Sequence, residues 1–224
     1  MKIYHFLPEQ WALKALKTQR LKVSSYDSLN DPFELLAMSL EDKTSQSRMS
    51  NAKSRINERL RILCCSKRWV SPLLWGHYAD KHKGIALELE VSESALSPIT
   101  YVKDRPPFDL PALKESHDVK ALHKLLSTKY VQWSYEEEVR VGFEKEDFFC
   151  DGDMDFYKLG GEIKIVGMVL GHLNETKQAD IENNLPEGME IDITLAKIAL
   201  NTFDVVHHKT WRVHNVSASR PLSS

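Results

Sequence analysis

The chain has 224 residues, 42% hydrophobic and 28% charged, with a formal net charge of −2. That balance is globular rather than disordered, and the length fits one large domain, or one domain with an appendage. No apolar run approaches the roughly 20 residues of a membrane span. No membrane partner is therefore expected; the N-terminus lacks a signal-peptide pattern, and an odd count of three cysteines without zinc-site spacing points to a reducing cytoplasm.

Residues 2–6 are predicted as a strand, followed by a helix from near Pro8 with Trp11, Leu13, Ala15 and Leu16 as its apolar positions. A short strand is expected at Leu21 to Ser25. Asp31-Pro32-Phe33-Glu34 has the makeup of a helix start: an acceptor at the cap, proline first, glutamate third. The polar segment 41–60 is predicted helical. From Lys43 to Arg68 the basic residues are Lys43, Arg48, Lys53, Arg55, Arg59, Arg61, Lys67 and Arg68, against one acid, Glu58. Two readings stand here. One is a solvated helix face; the other is contact with phosphate backbones, chiefly through Lys53, Arg55, Arg59, Lys67 and Arg68.

Arg61 to Ser66 is predicted as a buried strand, with Cys64 and Cys65 on opposite faces. Ser71-Pro72 launches a helix over Leu73 to Asp80 that places Leu74, Trp75 and Tyr78 on one stripe. A strand over Gly84 to Val91, a proline-rich loop at 106–111 and a helix near 112–129 follow. Further strands are expected at 138–144, from Glu162 to Gly171 and from Met189 to Leu195, with a helix after Asn174. His207, His208 and His214 fall in an apparently irregular stretch, and the tail from Ser217 is expected to be flexible. Strands and helices mix without βαβ regularity. This predicts an α+β fold with mainly antiparallel pairing, as a single domain over 1–216.

The segment Trp133 to Phe143 is the most informative. Side chains alternate across a strand, so Val139, Val141 and Phe143 form an apolar face. Glu136, Glu138 and Arg140 then share the opposite face, which must meet water, a cleft or a partner. Arg140, two residues on, favours an ionised Glu138. A dinucleotide fingerprint, a P-loop and a nucleophile elbow are all missing, and His77 and His82 are not spaced as a zinc pair, so no metal is expected. Four segments remain: Tyr4-His5-Phe6 with Ser24 and Ser25; Asn30-Asp31-Pro32-Phe33-Glu34; Ser71 to Gly84; and Lys129, Trp133 and Tyr135 to Arg140. Taken singly, each also reads as ordinary packing or capping.

Together, the order Asn-Asp-Pro-Phe-Glu, Trp-x-His-Tyr-Ala-x-x-His-x-Gly and Trp-x-Tyr-Glu-x-Glu-x-Arg resembles a bacterial family catalogued as domain of unknown function two-nine-seven-one, from residue 1 to about residue 171. A second resemblance is to ADP-ribosyltransferases. It rests on the first strand with His5, the strand at Leu21 to Ser25, the Ser71-Pro72-Leu73-Leu74-Trp75 segment and Glu136-x-Glu138. The resemblance implies an ADP-ribosyltransferase-like fold with NAD as substrate, Glu138 as catalytic glutamate and Glu136 as its helper. It implies a ribose contact for His5, cofactor contacts for Ser25 and Arg140, and nicotinamide stacking for Tyr78, a place Ser66 or Tyr26 could fill instead. The chain departs from that pattern: no Ser-Thr-Ser triplet follows the middle strand, and no arginine lies on the first.

The chemistry suits the residues. Cleaving the nicotinamide–ribose bond builds positive charge on the sugar, and a fixed carboxylate stabilises that state more than the ground state. The expected function is transfer of ADP-ribose to a nucleic acid or protein acceptor, as a toxin or phage-defence effector with a neutralising antitoxin. The alternatives are a non-catalytic nucleotide- or partner-binding module on the same fold, and an RNA-binding accessory protein.

Overall fold

The computed structural model describes residues 1–36, 38–40, 42–106 and 119–215. The chain divides into two compact units. The first comprises Met1–Leu21, Ser66–Ser92 and the chain from Lys158 onward; the second comprises Lys22–Cys65 and Glu93–Tyr157. Strands and helices are numbered below in chain order.

In the first unit, β1 (Lys2–Leu7) pairs antiparallel with β4 (Ile85–Val91), in register from Lys2↔Glu90 to Leu7↔Ile85. β4 pairs antiparallel with β11 (Ile163–Leu170). β11 runs parallel to β12 (Glu190–Ile198), and the crossover between them contains α5 (Gln178–Asn184). β13 (Val205–His214) closes this series antiparallel to β12. His207, His208 and His214 therefore lie on a strand rather than in an irregular stretch. The polar run His207 to Thr210 hid it, because its outward side chains interrupt the apolar alternation. α1 (Glu9–Thr18) buries Ala12, Ala15 and Leu16, the spacing of one helix face.

α3 (Pro72–Tyr78) starts at Ser71-Pro72, as the sequence suggested, and buries Leu74 and Trp75. The Trp75 indole meets Phe6 edge-on with centroids 5.1 Å apart, and its N–H donates to the Trp69 carbonyl at 2.6 Å. The chain then makes a left-handed turn in which Asp80, Lys81 and His82 all have positive φ. The His82 N–H donates to the Trp75 carbonyl at 3.2 Å, and the Gly84 N–H donates to that of Ala79 at 2.8 Å. The motif Trp-x-His-Tyr-Ala-x-x-His-x-Gly is thus, in the first place, the sequence of this turn. Gly84 is required by space: a Cβ there would strike the Leu7 carbonyl oxygen and lie 2.8 Å from Ala79 Cα.

In the second unit, α2 (Lys43–Arg59) is the helix expected over 41–60, capped by Asp42, whose carboxylate accepts from the Ser45 N–H at 2.9 Å. It packs Met49 and Ile56 into a core with Tyr26, Leu35, Met38, Ile62 and Leu125. β3 (Arg61–Ser66) lies beside β8 (Glu138–Phe143), which pairs antiparallel with β5 (Leu96–Pro98). β6 (Thr100–Val102) runs parallel to β7 (Thr128–Tyr130), and β9 (Phe148–Asp151) forms a hairpin with β10 (Met154–Lys158). β5, β6, β7, β9 and β10 escaped the sequence because each spans five residues or fewer, too short to show a period. The helix expected near 112–129 is α4 (Val119–Leu126). The loop expected at 106–111 lies largely, and the flexible tail from Ser217 wholly, outside the described residues.

Helices and mainly antiparallel sheets make this an α+β fold, with parallel pairing at β11–β12 and β6–β7. Gly84→Ala is expected to lower the urea-unfolding free energy by about 1–3 kcal/mol, because backbone rather than a flexible side chain must yield. An unchanged midpoint would show that the turn relaxes freely.

Candidate functional site

β8 begins with Glu138, and alternation places Arg140 on the same side of the strand. Glu136 does not extend that face. It ends a 3-10 turn over Val131–Glu136, after which Glu137 takes a left-handed φ of 43° and the strand begins. The charged side of the strand was expected to meet water, a cleft or a partner; instead Glu138 is only 4% exposed, and Glu34, Lys129, Glu136 and Arg140 are buried with it. The charges are covered because opposite charges arrive from two other segments.

Asn30-Asp31-Pro32-Phe33-Glu34 supplies one. It is not a helix start. The Asp31 carboxylate accepts from the Phe33 N–H at 2.9 Å as a cap should, but Leu35 adopts a φ of 60° and the chain turns away. This turn directs Glu34 at Arg140. Arg140 donates from Nη1 to Glu34 Oε2 at 3.0 Å and from Nη2 to Glu34 Oε1, a two-pronged contact between planar groups. Its Nε donates to Glu138 Oε1 at 2.7 Å, and Nη1 also donates to the Leu126 carbonyl at 2.9 Å. From β7, the Lys129 ammonium donates to Glu136 Oε2 at 2.6 Å and to Glu138 Oε2 at 3.0 Å, and lies 4.9 Å from the centroid of the Trp133 ring. The Glu138 backbone N–H donates to the Tyr101 hydroxyl at 2.8 Å.

Three carboxylates face two cations, so the cluster carries one negative charge in excess. Its members respond differently. Burial pushes Glu138 up, but Arg140 and Lys129 outweigh it and hold its carboxyl below the ordinary glutamate value of 4.5. For Glu34 burial wins over Arg140, and its carboxyl is raised. Burial lowers Lys129, but Glu138 and Glu136 more than compensate and raise it. The Cys64 thiol is driven well up by burial and then by the Glu138 charge, which keeps it an inert thiol. Burial pushes the Tyr101 hydroxyl up to about 12.

Beside this cluster lies a cavity of about 330 Å³ lined by Asp31, Phe33, Val102, Lys103, Asp104, Arg105, Lys129 and Tyr130. Asp31 and Lys129 are buried in its wall, whereas Phe33 and Tyr130 are 48% and 45% exposed. The Arg105 guanidinium lies 4.9 Å from the Phe33 ring centroid. The sequence reading gave Lys103, Arg105 and Tyr130 no role. Asn-Asp-Pro-Phe-Glu marks Asp31 and Phe33 in the sequence, both as a motif and as a helix start, without assigning either a place in a cavity.

The other predicted residues divide between the units. In the second, Ser25 precedes a 3-10 turn, and its carbonyl accepts from the Ser28 hydroxyl at 2.8 Å. Lys53 pairs with Asp27 at 2.8 Å, while Arg55 and Arg59 are exposed on α2. In the first, His5 sits on β1 opposite Leu87, and Tyr78 ends α3 with its ring 6.0 Å from that of His77. The Ser66 hydroxyl is engaged locally, donating to the Arg68 carbonyl at 2.7 Å; Lys67 and Arg68 are exposed after it. Among the described residues, no group of three His, Cys, Asp or Glu side chains is placed to hold a metal ion. Comparison with family models, curated proteins and solved structures finds no match.

Arg140→Met is expected to cost about 3–5 kcal/mol in urea unfolding, since it strands buried Glu34 and takes one of the two cations from Glu138. Glu138, lowered in the folded state, contributes stability above pH 4.5 that is lost as pH falls through its folded value. Glu34, raised, acts with the opposite sign and favours folding as pH falls toward 4.5. Glu138→Gln should therefore flatten the acid-side loss of stability, and Glu34→Gln should steepen it. Identical pH profiles for both variants would refute the assignment.

Proposed function

We propose that the second unit binds a nucleotide, NAD or a molecule built like it, in the cavity beside the charge cluster. A volume of about 330 Å³ falls within the range of small-molecule sites. Its walls supply what such a ligand needs. Phe33 and Tyr130 offer ring faces to a base, Lys103 and Arg105 offer cations to phosphate, and Asp31 offers a carboxylate to sugar hydroxyls. Lys129 carries this reading: it lines the cavity, and its ammonium bridges Glu136 and Glu138. A bound nucleotide would thus lie against the residue that controls both carboxylates. Binding without turnover fits best, because both Glu138 oxygens already accept from cations.

A second reading is ADP-ribosyl transfer, and the ionised state of Glu138 favours it. If Lys129 and the 3.3 Å contact from Arg140 Nη2 both left Glu138 Oε2, that oxygen would be free to hold a ribose hydroxyl and stabilise the cationic sugar. The C1–nitrogen bond would break with its electron pair leaving on nicotinamide, and an acceptor nucleophile would bond to C1 and lose its proton. The resemblance to family two-nine-seven-one supplies no activity; that to ADP-ribosyltransferases belongs to this reading. So do a nucleic-acid or protein acceptor, reached through Arg55 and Arg59, and a cytoplasmic toxin or phage-defence role held in check by an antitoxin.

Calorimetry with NAD, ADP-ribose and AMP tests the first reading. Binding is expected, weakened at least about tenfold in Phe33→Ala and Arg105→Ala; no binding of any of the three contradicts it. Nicotinamide release separates the two readings. None is expected from a binding module, whereas release that falls about a hundredfold or more in Glu138→Gln would establish the transferase.

A further inference from the structure

The tip of the β12–β13 hairpin holds apolar side chains outside the fold. Leu200 is 103% exposed, Phe203 is 97% exposed, and Ile198 beside them is also exposed. The hairpin body is anchored. Ile193, Ala196, Val205 and Val213 are buried, the Val205 N–H donates to the Val70 carbonyl at 2.8 Å, and the Ala199 N–H closes the loop on the Asp204 carbonyl at 3.0 Å. The first unit's core is therefore already supplied from this hairpin, and the tip projects past it. Two exposed cations, Lys197 and Lys209, flank it on the hairpin, and Asp204 is the one acid between Leu195 and Lys209.

We propose that this tip docks on an anionic lipid bilayer, with Leu200 and Phe203 in the interfacial layer and Lys197 and Lys209 on the headgroups. Apolar side chains that protrude singly enter a bilayer interface without a matching pocket, and cations around them add attraction to anionic lipid. A stable protein interface takes roughly 20–30 residues a side, far more than the Ala199–Asp204 tip holds. The contact is peripheral, since a loop of this size reaches only the interface. It is independent of the nucleotide site.

Co-sedimentation of the full chain with vesicles of phosphatidylcholine, with and without phosphatidylserine, tests this. The wild type is expected to pellet with phosphatidylserine vesicles, less so as salt rises, and weakly with phosphatidylcholine alone. Leu200→Asp with Phe203→Asp should lower partitioning at least about tenfold, and Lys197→Glu with Lys209→Glu should lower it too, with unchanged thermal melts because the sites are exposed. Three results would overturn the proposal: no pelleting with phosphatidylserine vesicles, equal pelleting of the aspartate variant, or lipid-free self-association that the aspartate variant abolishes.

Discussion

One guanidinium organises the second unit. Arg140 holds Glu34 and Glu138, and the contact with Glu34 joins positions 106 residues apart. Burying these charges is unfavourable in itself, and only close, hydrogen-bonded pairing offsets the lost hydration. Arg140 meets that condition with its fork of donors, and Lys129 meets it for the oxygens facing Glu136. The carboxylates do not respond alike: burial raises the proton affinity of Glu34 despite Arg140, while Glu138, between both cations, stays ionised. Tyr26, whose ring centroid lies 5.8 Å from the Arg140 guanidinium, and Cys64, beside Glu138, are held neutral by the same burial.

A rigid polar floor of this kind suits a binding site. Side chains with no spare rotamers cost little further entropy when a ligand docks against them. Lys129 is the point of contact between floor and cavity, and its stacking on Trp133 limits where the ammonium can go. Anything that competes for Glu136 or Glu138 must displace a primary ammonium from two carboxylates. This separates a site that binds a nucleotide from one that turns it over. Turnover would need a free Glu138 oxygen, and the resting arrangement gives Oε1 to Arg140 and Oε2 to Lys129 and Arg140 together.

Most of the longer strands and helices were legible in the sequence because each runs through a full hydrophobic period; β13 was not, because the polar run His207 to Thr210 breaks its alternation. Ser71-Pro72 marked a helix start correctly. Asp31-Pro32 did not, because a cap fixes only the first bonds and Leu35 decides the direction that follows. The chemistry of Glu138 and Arg140 was read from their spacing alone, and the structure agrees that they pair. The burial of that pair was not readable: nothing local in Glu-x-Arg says that Glu34 and Lys129 will cover it. The two short strands that bring Lys129 and Tyr101 into place likewise leave no periodic trace.

The most direct measurement is a double-mutant cycle between Glu34 and Arg140, using Glu34→Gln, Arg140→Met and the pair, read by urea unfolding at neutral pH. If the guanidinium binds these distant segments together, the two losses will fall short of additivity by about 1–3 kcal/mol. Losses that add to within about 0.5 kcal/mol would mean that the two side chains do not depend on one another, and the charge cluster would cease to be the frame of the site.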